Sequence, residues 1–177
     1  MLKIALVGPE STGKSELSKE LAVRYGGAFV EEYARTYVEQ LNRDYTKDDV
    51  CEIAYKQIEE QAVYLNDSAE FPVVFFDTEL IITKVWLAYC YQQVPAFIDD
   101  NIASGYFDFY LLCFPDLPWV YDPVREHGGD ERMFFYEWYK REIEKTAVPY
   151  AIVSGVGQAR VECAIREINK RFEFLNI

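Results

Sequence analysis

The sequence predicts a three-layer α/β domain built on a five-stranded parallel sheet. Three observations lead there. Short apolar runs alternate with helical periodicity along the chain, the pattern of strand–helix–strand units. The run 73–76, Val-Val-Phe-Phe, is apolar throughout, as expected of a strand covered on both faces. A strand, a glycine-bearing turn and an amphipathic helix follow one another across the first part of the chain.

Leu2–Val7 is the first strand. A helix starts at about Lys14, with Leu17, Leu21 and Ala22 on one face. Ala28–Val30 is a short second strand that runs out into Glu31 and Glu32, and 33–42 reads as a helix. A longer helix covers about 47–66, with Val50, Ile53, Ala54, Ile58, Ala62 and Leu65 at i, i+3, i+4 spacing. After the third strand at 73–76, Asp77 and Thr78 open a helix to about Tyr91. A further helical stretch lies at about 95–104, the fourth strand is Phe109–Cys113, and 115–132 is polar and loop-like. A helix at about 132–146, a strand at Tyr150–Val153 and a helix at about 158–172 complete the series. The last buries Val161, Ala164, Ile165, Ile168 and Phe172.

Length and composition fit one domain, 1–177, with 50% hydrophobic and 27% charged residues. No apolar run approaches the ~20 residues of a bilayer crossing, and the opening apolar stretch reaches Gly8 too soon for a secretory signal. The expected location is cytoplasmic, with no membrane partner. Cys51, Cys90, Cys113 and Cys163 are scattered with no Cys-x-x-Cys pair, which argues against zinc and for free thiols. The net charge of −12 repels nucleic acid, and equally repels a nucleotide unless a local positive trap exists. The few cations are therefore informative. Self-association is left open.

The trap is the stretch Gly8-Pro9-Glu10-Ser11-Thr12-Gly13-Lys14-Ser15, a P-loop between a strand and a helix. Gly8 and Gly13 let main-chain N–H groups curl around phosphate oxygens, and the helix N-terminus adds partial positive charge. Lys14 can bridge β- and γ-phosphates, and the Ser15 hydroxyl can ligate Mg²⁺. Glu10, Ser11, Thr12 and, in the first helical turn, Glu16 complete the nucleotide side. No Asn-Lys-x-Asp element is present to read guanine, so ATP is expected.

Asp77, at the carboxyl edge of the third strand, suits Mg²⁺ or substrate; as an alternative it caps the next helix. Glu32, with Glu31 as rival, is placed to accept a proton from an acceptor hydroxyl. Tyr33 and Arg35 accompany it on the substrate side. The segment 115–132 carries Arg125 and Arg132 around His127-Gly128-Gly129-Asp130 and reads as a lid that neutralises transition-state charge. Gly157, after Gly155, and Arg160 follow the fifth strand, where an adenine ring can meet backbone or a stacked guanidinium.

In order and spacing these pieces resemble the ribosylnicotinamide kinase domain of NadR-like proteins, of the P-loop AAA-type ATPase and kinase family. The matching residues are "GPESTGKS", Glu32-Tyr33-Ala34-Arg35-x-Tyr37-Val38, Asp77-Thr78 after an apolar strand, and Pro118-Trp119-Val120 with Asp122, Arg125 and Arg132 behind it. The resemblance implies a nucleoside-kinase-like P-loop NTPase fold with sheet order 2-3-1-4-5. It implies ATP-dependent phosphorylation of the 5′-hydroxyl of nicotinamide riboside, with Lys14 and Ser15 serving ATP and Mg²⁺, Asp77 the metal or substrate, and Arg125 and Arg132 the lid. Some members carry Trp where Glu31 stands; Tyr33, Trp86, Tyr89 or Trp119 are the aromatic substitutes. An adenylyltransferase signature needs two histidines and this sequence has one, so that activity is not expected, nor is a DNA-binding domain. Two other readings stay open: a kinase for another nucleoside, and an ATP-binding regulator without catalysis.

Overall fold

A computed structural model describes residues 1–64, 71–120 and 131–175. Five parallel strands form one sheet: β1 (Leu2–Val7), β2 (Ala28–Val30), β3 (Val73–Asp77), β4 (Phe109–Cys113) and β5 (Tyr150–Val153), in the order β2-β3-β1-β4-β5. The predicted sheet order is therefore the observed one. The helices are α1 (Lys14–Tyr25), α2 (Tyr33–Gln40), α3 (Lys47–Val63), α4 (Leu80–Tyr91), α5 (Ala96–Ala103), α6 (Glu131–Thr146) and α7 (Gln158–Arg171).

The strands are apolar because both faces are covered. On one face Ile4, Leu6, Phe75 and Leu111 pack against Leu17 and Leu21 of α1 and Val161, Ala164 and Ile168 of α7. On the other, Ala5, Val7, Val74, Phe76 and Leu112 meet Ile81 and Val85 of α4 and Phe135, Tyr139 and Ile143 of α6. A smaller cluster joins α3, α4 and α5 through Val50, Ala54, Leu80, Leu87 and Ile98. Burying side chains of this size contributes about 1.5–3 kcal/mol each.

The register sets the site. Leu6 of β1 pairs with Asp77 of β3, and Val7 with Leu112 of β4. Gly8 thus leaves the sheet beside the carboxyl end of β3, at the point where the strand order turns from one side of β1 to the other. Ligands bind at such crevices in open parallel sheets. Among the described residues no helix is long and apolar enough to cross a membrane.

Helix α4 begins later than its sequence suggests. Asp77 is the last residue of β3, Thr78 donates its N–H to the Leu6 carbonyl at 3.1 Å in a left-handed conformation (φ 75°), and Glu79 is the N-cap. Asp77 is therefore not a cap. The Glu79 carboxyl oxygen accepts from Ile81 N–H at 2.9 Å.

Candidate active site

The loop 8–15 wraps as its glycines require. A Cβ on Gly8 would stand 2.7 Å from the Cys113 carbonyl oxygen, so only glycine lets the chain leave β1 so close to β4. Ser11 (φ 53°) and Gly13 (φ 70°) take left-handed backbone, the alternation that turns successive N–H groups inward to form an anion nest. Thr12 is fully buried and ties the loop by donating to the Pro9 carbonyl at 2.8 Å. The Lys14 ammonium lies inside the turn, donating to the carbonyls of Gly8 and Pro9 at 2.9 Å each. Ser15 sits half-buried in the first turn of α1, and Glu16 faces solvent. Beneath the loop, burial pushes the Cys113 thiol up to about 11, so it is an inert neutral packing group.

Beside this nest lies a cavity of about 180 Å³. Gly8, Pro9, Glu10 and Lys14 form its phosphate end; Glu32, Ala34, Arg35 and Val38 of the α2 region form one wall; Tyr45, Trp86, Phe135 and Tyr139 supply aromatic surface. The aromatic lining is continuous, with Trp86 6.3 Å from Tyr45 and 6.2 Å from Phe135, centroid to centroid. Tyr139 is buried; burial first, then the negative charges of Glu10 and Glu32, push its phenol pKa up. The phenol thus stays a neutral hydrogen-bonding group close to both carboxylates.

The structure separates residues that the sequence leaves together. Glu32 lines the cavity, whereas Glu31 is exposed and ion-paired to Lys19 at 3.1 Å. Arg35 lines the cavity and also donates to Glu39 at 3.4 Å. Tyr33 and Asp77 border a second, much smaller recess with Glu31, Thr78 and Glu79 instead. Asp77 is 2% exposed there. Of the aromatic substitutes, Trp86 lines the cavity; Tyr33, Tyr89 and Trp119 do not.

Arg160 is not a surface cation. It is 4% exposed, ion-paired to Asp116 at 2.6 Å, and donates to the carbonyls of Gly155 at 2.8 Å and Phe114 at 2.7 Å. Burial works against the Asp116 carboxylate, but the Gly155 N–H and the Arg160 guanidinium outweigh it and hold its pKa below the ordinary range. Arg160 therefore braces the segment after β4 against the loop after β5. Gly157 is the exposed N-cap of α7, with φ 54°. Arg132 stands in the first turn of α6 and donates to the Leu117 carbonyl at 2.9 Å. Leu117 in turn covers Gly13, and the Ser11 hydroxyl meets Val120 N–H and C=O at 3.3 Å, so 117–120 lies over the phosphate loop. Arg125, with Asp122, His127 and most of the expected lid, lies outside the described residues.

Tyr45, Phe135, Tyr139, Asp116 and Glu79 were not singled out from sequence. Phe135 and Tyr139, one turn apart on α6, carried a usable signal of a shared face.

A family model described as AAA domain matches residues 3–160. The chain belongs to the AAA-domain family. Curated relatives that match include two NadR proteins. The trifunctional NAD biosynthesis/regulator protein NadR of Salmonella typhimurium is 29% identical over 71% of this chain and 31% of its own length. Its Escherichia coli counterpart is 27% identical over 85% of this chain and 37% of its own. The chain thus spans about a third of the length of the curated relatives it matches. A crystal structure of NadR protein in complex with NR superposes with TM-score 0.78 at 23% identity, covering 96% of this chain and 50% of that one. A deoxyadenosine kinase from M. mycoides with bound dATP gives 0.53 at 16%, covering 96% and 100%. These structural likenesses establish the fold.

Proposed function

We propose that the chain is an ATP-dependent kinase of a small nucleoside, transferring the γ-phosphoryl group to the 5′-hydroxyl of nicotinamide riboside. One observation carries this: the lysine of the phosphate nest and the Glu32 carboxylate line a single aromatic cavity. A phosphate donor and a ring-bearing acceptor would meet there. The NadR relatives and the NadR structure in complex with NR support this choice of acceptor. The structure of NadR with NAD and AMP-PNP supports a nucleotide at the P-loop.

In this reading the triphosphate sits in the 8–15 nest with Lys14 on its β- and γ-oxygens. The flat base lies against Trp86 and Phe135, and the ribose points to Glu32 and Arg35. Glu32 takes the proton of the 5′-hydroxyl as its oxygen attacks phosphorus in line; the bond to the β-phosphate oxygen breaks, and ADP and the nucleoside monophosphate leave. Lys14 of the nest would meet the developing charge, and Arg132, in the first turn of α6, would serve as a lid cation. Gly155 to Gly157 would meet the adenine through backbone, with Arg160 holding that loop. The Ser15 hydroxyl, in the first turn of α1, and the buried Asp77 carboxylate, at the end of β3, are two hard oxygen donors of the kind Mg²⁺ takes. In this reading the ion would arrive with the nucleotide. Bound there, it would neutralise phosphate charge.

The test is direct. Protein, Mg-ATP and nicotinamide riboside should release ADP and give the monophosphate by mass. A panel of other nucleosides reads the acceptor range. ADP release that no nucleoside stimulates would remove the kinase reading and favour an ATP-binding regulator.

A further inference from the structure

The cavity wall made by α2 and the 41–46 turn is lightly seated. None of the eight residues of α2 is buried, while the facing wall is drawn from the core through Phe135 and Tyr139. Apolar packing alone does not fix the first wall, yet it carries Arg35 and Tyr45, and Glu32 is the N-cap of its helix.

A single carboxylate gathers that wall. Asp49, in the first turn of α3, is 5% exposed. Its Oδ2 accepts from Arg43 at 2.7 Å, from Thr46 N–H at 2.7 Å and from the Thr46 hydroxyl at 2.7 Å. Its Oδ1 accepts from Arg43 at 2.9 Å and from the Tyr37 hydroxyl at 2.9 Å. The Thr46 bonds are a capping box and serve α3 itself. The Tyr37 and Arg43 bonds do something else: they reach back into α2 and into the turn. Arg43 and Thr46 bracket Tyr45, which stands on the cavity wall against Trp86. Arg43 first, then Thr46, hold the Asp49 carboxyl far below the ordinary range, so it is charged at any working pH.

We propose that Asp49 is a positioning residue for the acceptor nucleoside: it latches α2 and the 41–46 turn onto α3 and so sets the spacing between the Glu32–Arg35 wall and the aromatic wall. This rests on the kinase reading. The nucleotide side, built by β1 and α1, is independent of the latch. Loss of the latch therefore loosens acceptor binding and leaves ATP binding alone. Charge-assisted, bidentate hydrogen bonds are the strong class, which makes one such hub sufficient for a short helix.

The experiment uses the full chain with Tyr37→Phe, Asp49→Asn and Asp49→Ala. Tyr37→Phe removes a latch bond without touching the capping box, and should lower Tm less than Asp49→Ala does. KM for nicotinamide riboside should rise several-fold in Tyr37→Phe and on the order of tenfold in Asp49→Ala, while KM for ATP stays within about twofold. Amide exchange should quicken over 33–46 and remain unchanged over 14–25. An unchanged nucleoside KM in Tyr37→Phe and Asp49→Asn, or an ATP KM that rises in step, overturns the proposal in favour of a purely structural cap. A wild type that phosphorylates no nucleoside removes the kinase reading instead; unchanged exchange over 33–46 in Asp49→Ala then overturns the latch as well, and quickened exchange upholds it.

Discussion

Glu79 offers a stability test that needs no substrate. It caps α4 through Ile81 N–H, is 2% exposed, and burial pushes its carboxyl up to about 8 from an ordinary 4.5. The N–H groups of Ile81 and Leu80 and the charge of Lys84 pull the other way without offsetting the burial. The folded state thus holds a proton that the unfolded chain has released above pH 4.5. Folding stability from this group is full below the unfolded value and is lost as pH rises through the folded one. The folded state carries nearly one extra proton at pH 6 and about half of one at pH 8, which integrates to a loss of about 2 kcal/mol. Glu79→Gln keeps the acceptor for Ile81 and cannot charge, so that portion of the slope should vanish. Urea unfolding at pH 6 and pH 8 reads it. The wild-type midpoint should fall by roughly 1 M more than that of the variant, taking a slope of about 2 kcal/mol per M. Parallel loss in the two proteins would show that Glu79 is ionised in the folded state and that its burial is matched by partners.

The remaining predictions concern the site. Gly8→Ala drives a Cβ to 2.7 Å from the Cys113 carbonyl oxygen; it should cost about 1–3 kcal/mol and abolish the rise in Tm that Mg-ATP gives the wild type. Glu32→Gln should lower kcat on nicotinamide riboside by about 10²-fold and leave KM for ATP unchanged, as steady-state kinetics will report. Arg160→Met leaves Asp116 with the Gly155 N–H but without its cation; it should cost about 3 kcal/mol, and Arg160→Met combined with Asp116→Asn should recover part of the lost Tm.

Strands and helices were legible in the sequence because burial on two faces writes a continuous apolar run and burial on one face writes a 3.6-residue period. What depends on register was not. Asp77, Thr78 and Glu79 all have side chains able to cap a helix, and composition cannot choose among them. The choice falls to Glu79 because β3 continues alongside β1 until Thr78 N–H meets the Leu6 carbonyl, a partner more than seventy residues away in sequence. Glu31 and Glu32 illustrate the opposite case. Residues that leave a strand in succession point to opposite sides, so only one of the pair can face the phosphate loop. The short β2 hides which one; in the fold Glu32 lines the cavity, and Glu31, on the exposed side, pairs with Lys19 of α1.

The burial of Arg160 was legible in the sequence. It lies four and eight residues before Ala164 and Ile168, on the buried stripe of α7, and a cation on an apolar stripe demands a buried partner. Asp116 is that partner, and the pair joins the segment leading toward the phosphate loop to the turn where adenine would sit. The cavity aromatics had no such tell. In a chain that is 16% aromatic, Trp86 and Phe135 look like core until the sheet brings α4 and α6 together beside Lys14. Which rings pack and which rings wait for a ligand is a property of the assembled wall, and that wall is closed on its far side by residues that contribute no chemistry. The width of the site is therefore set by Asp49 and its donors as much as by the groups that would touch the substrate.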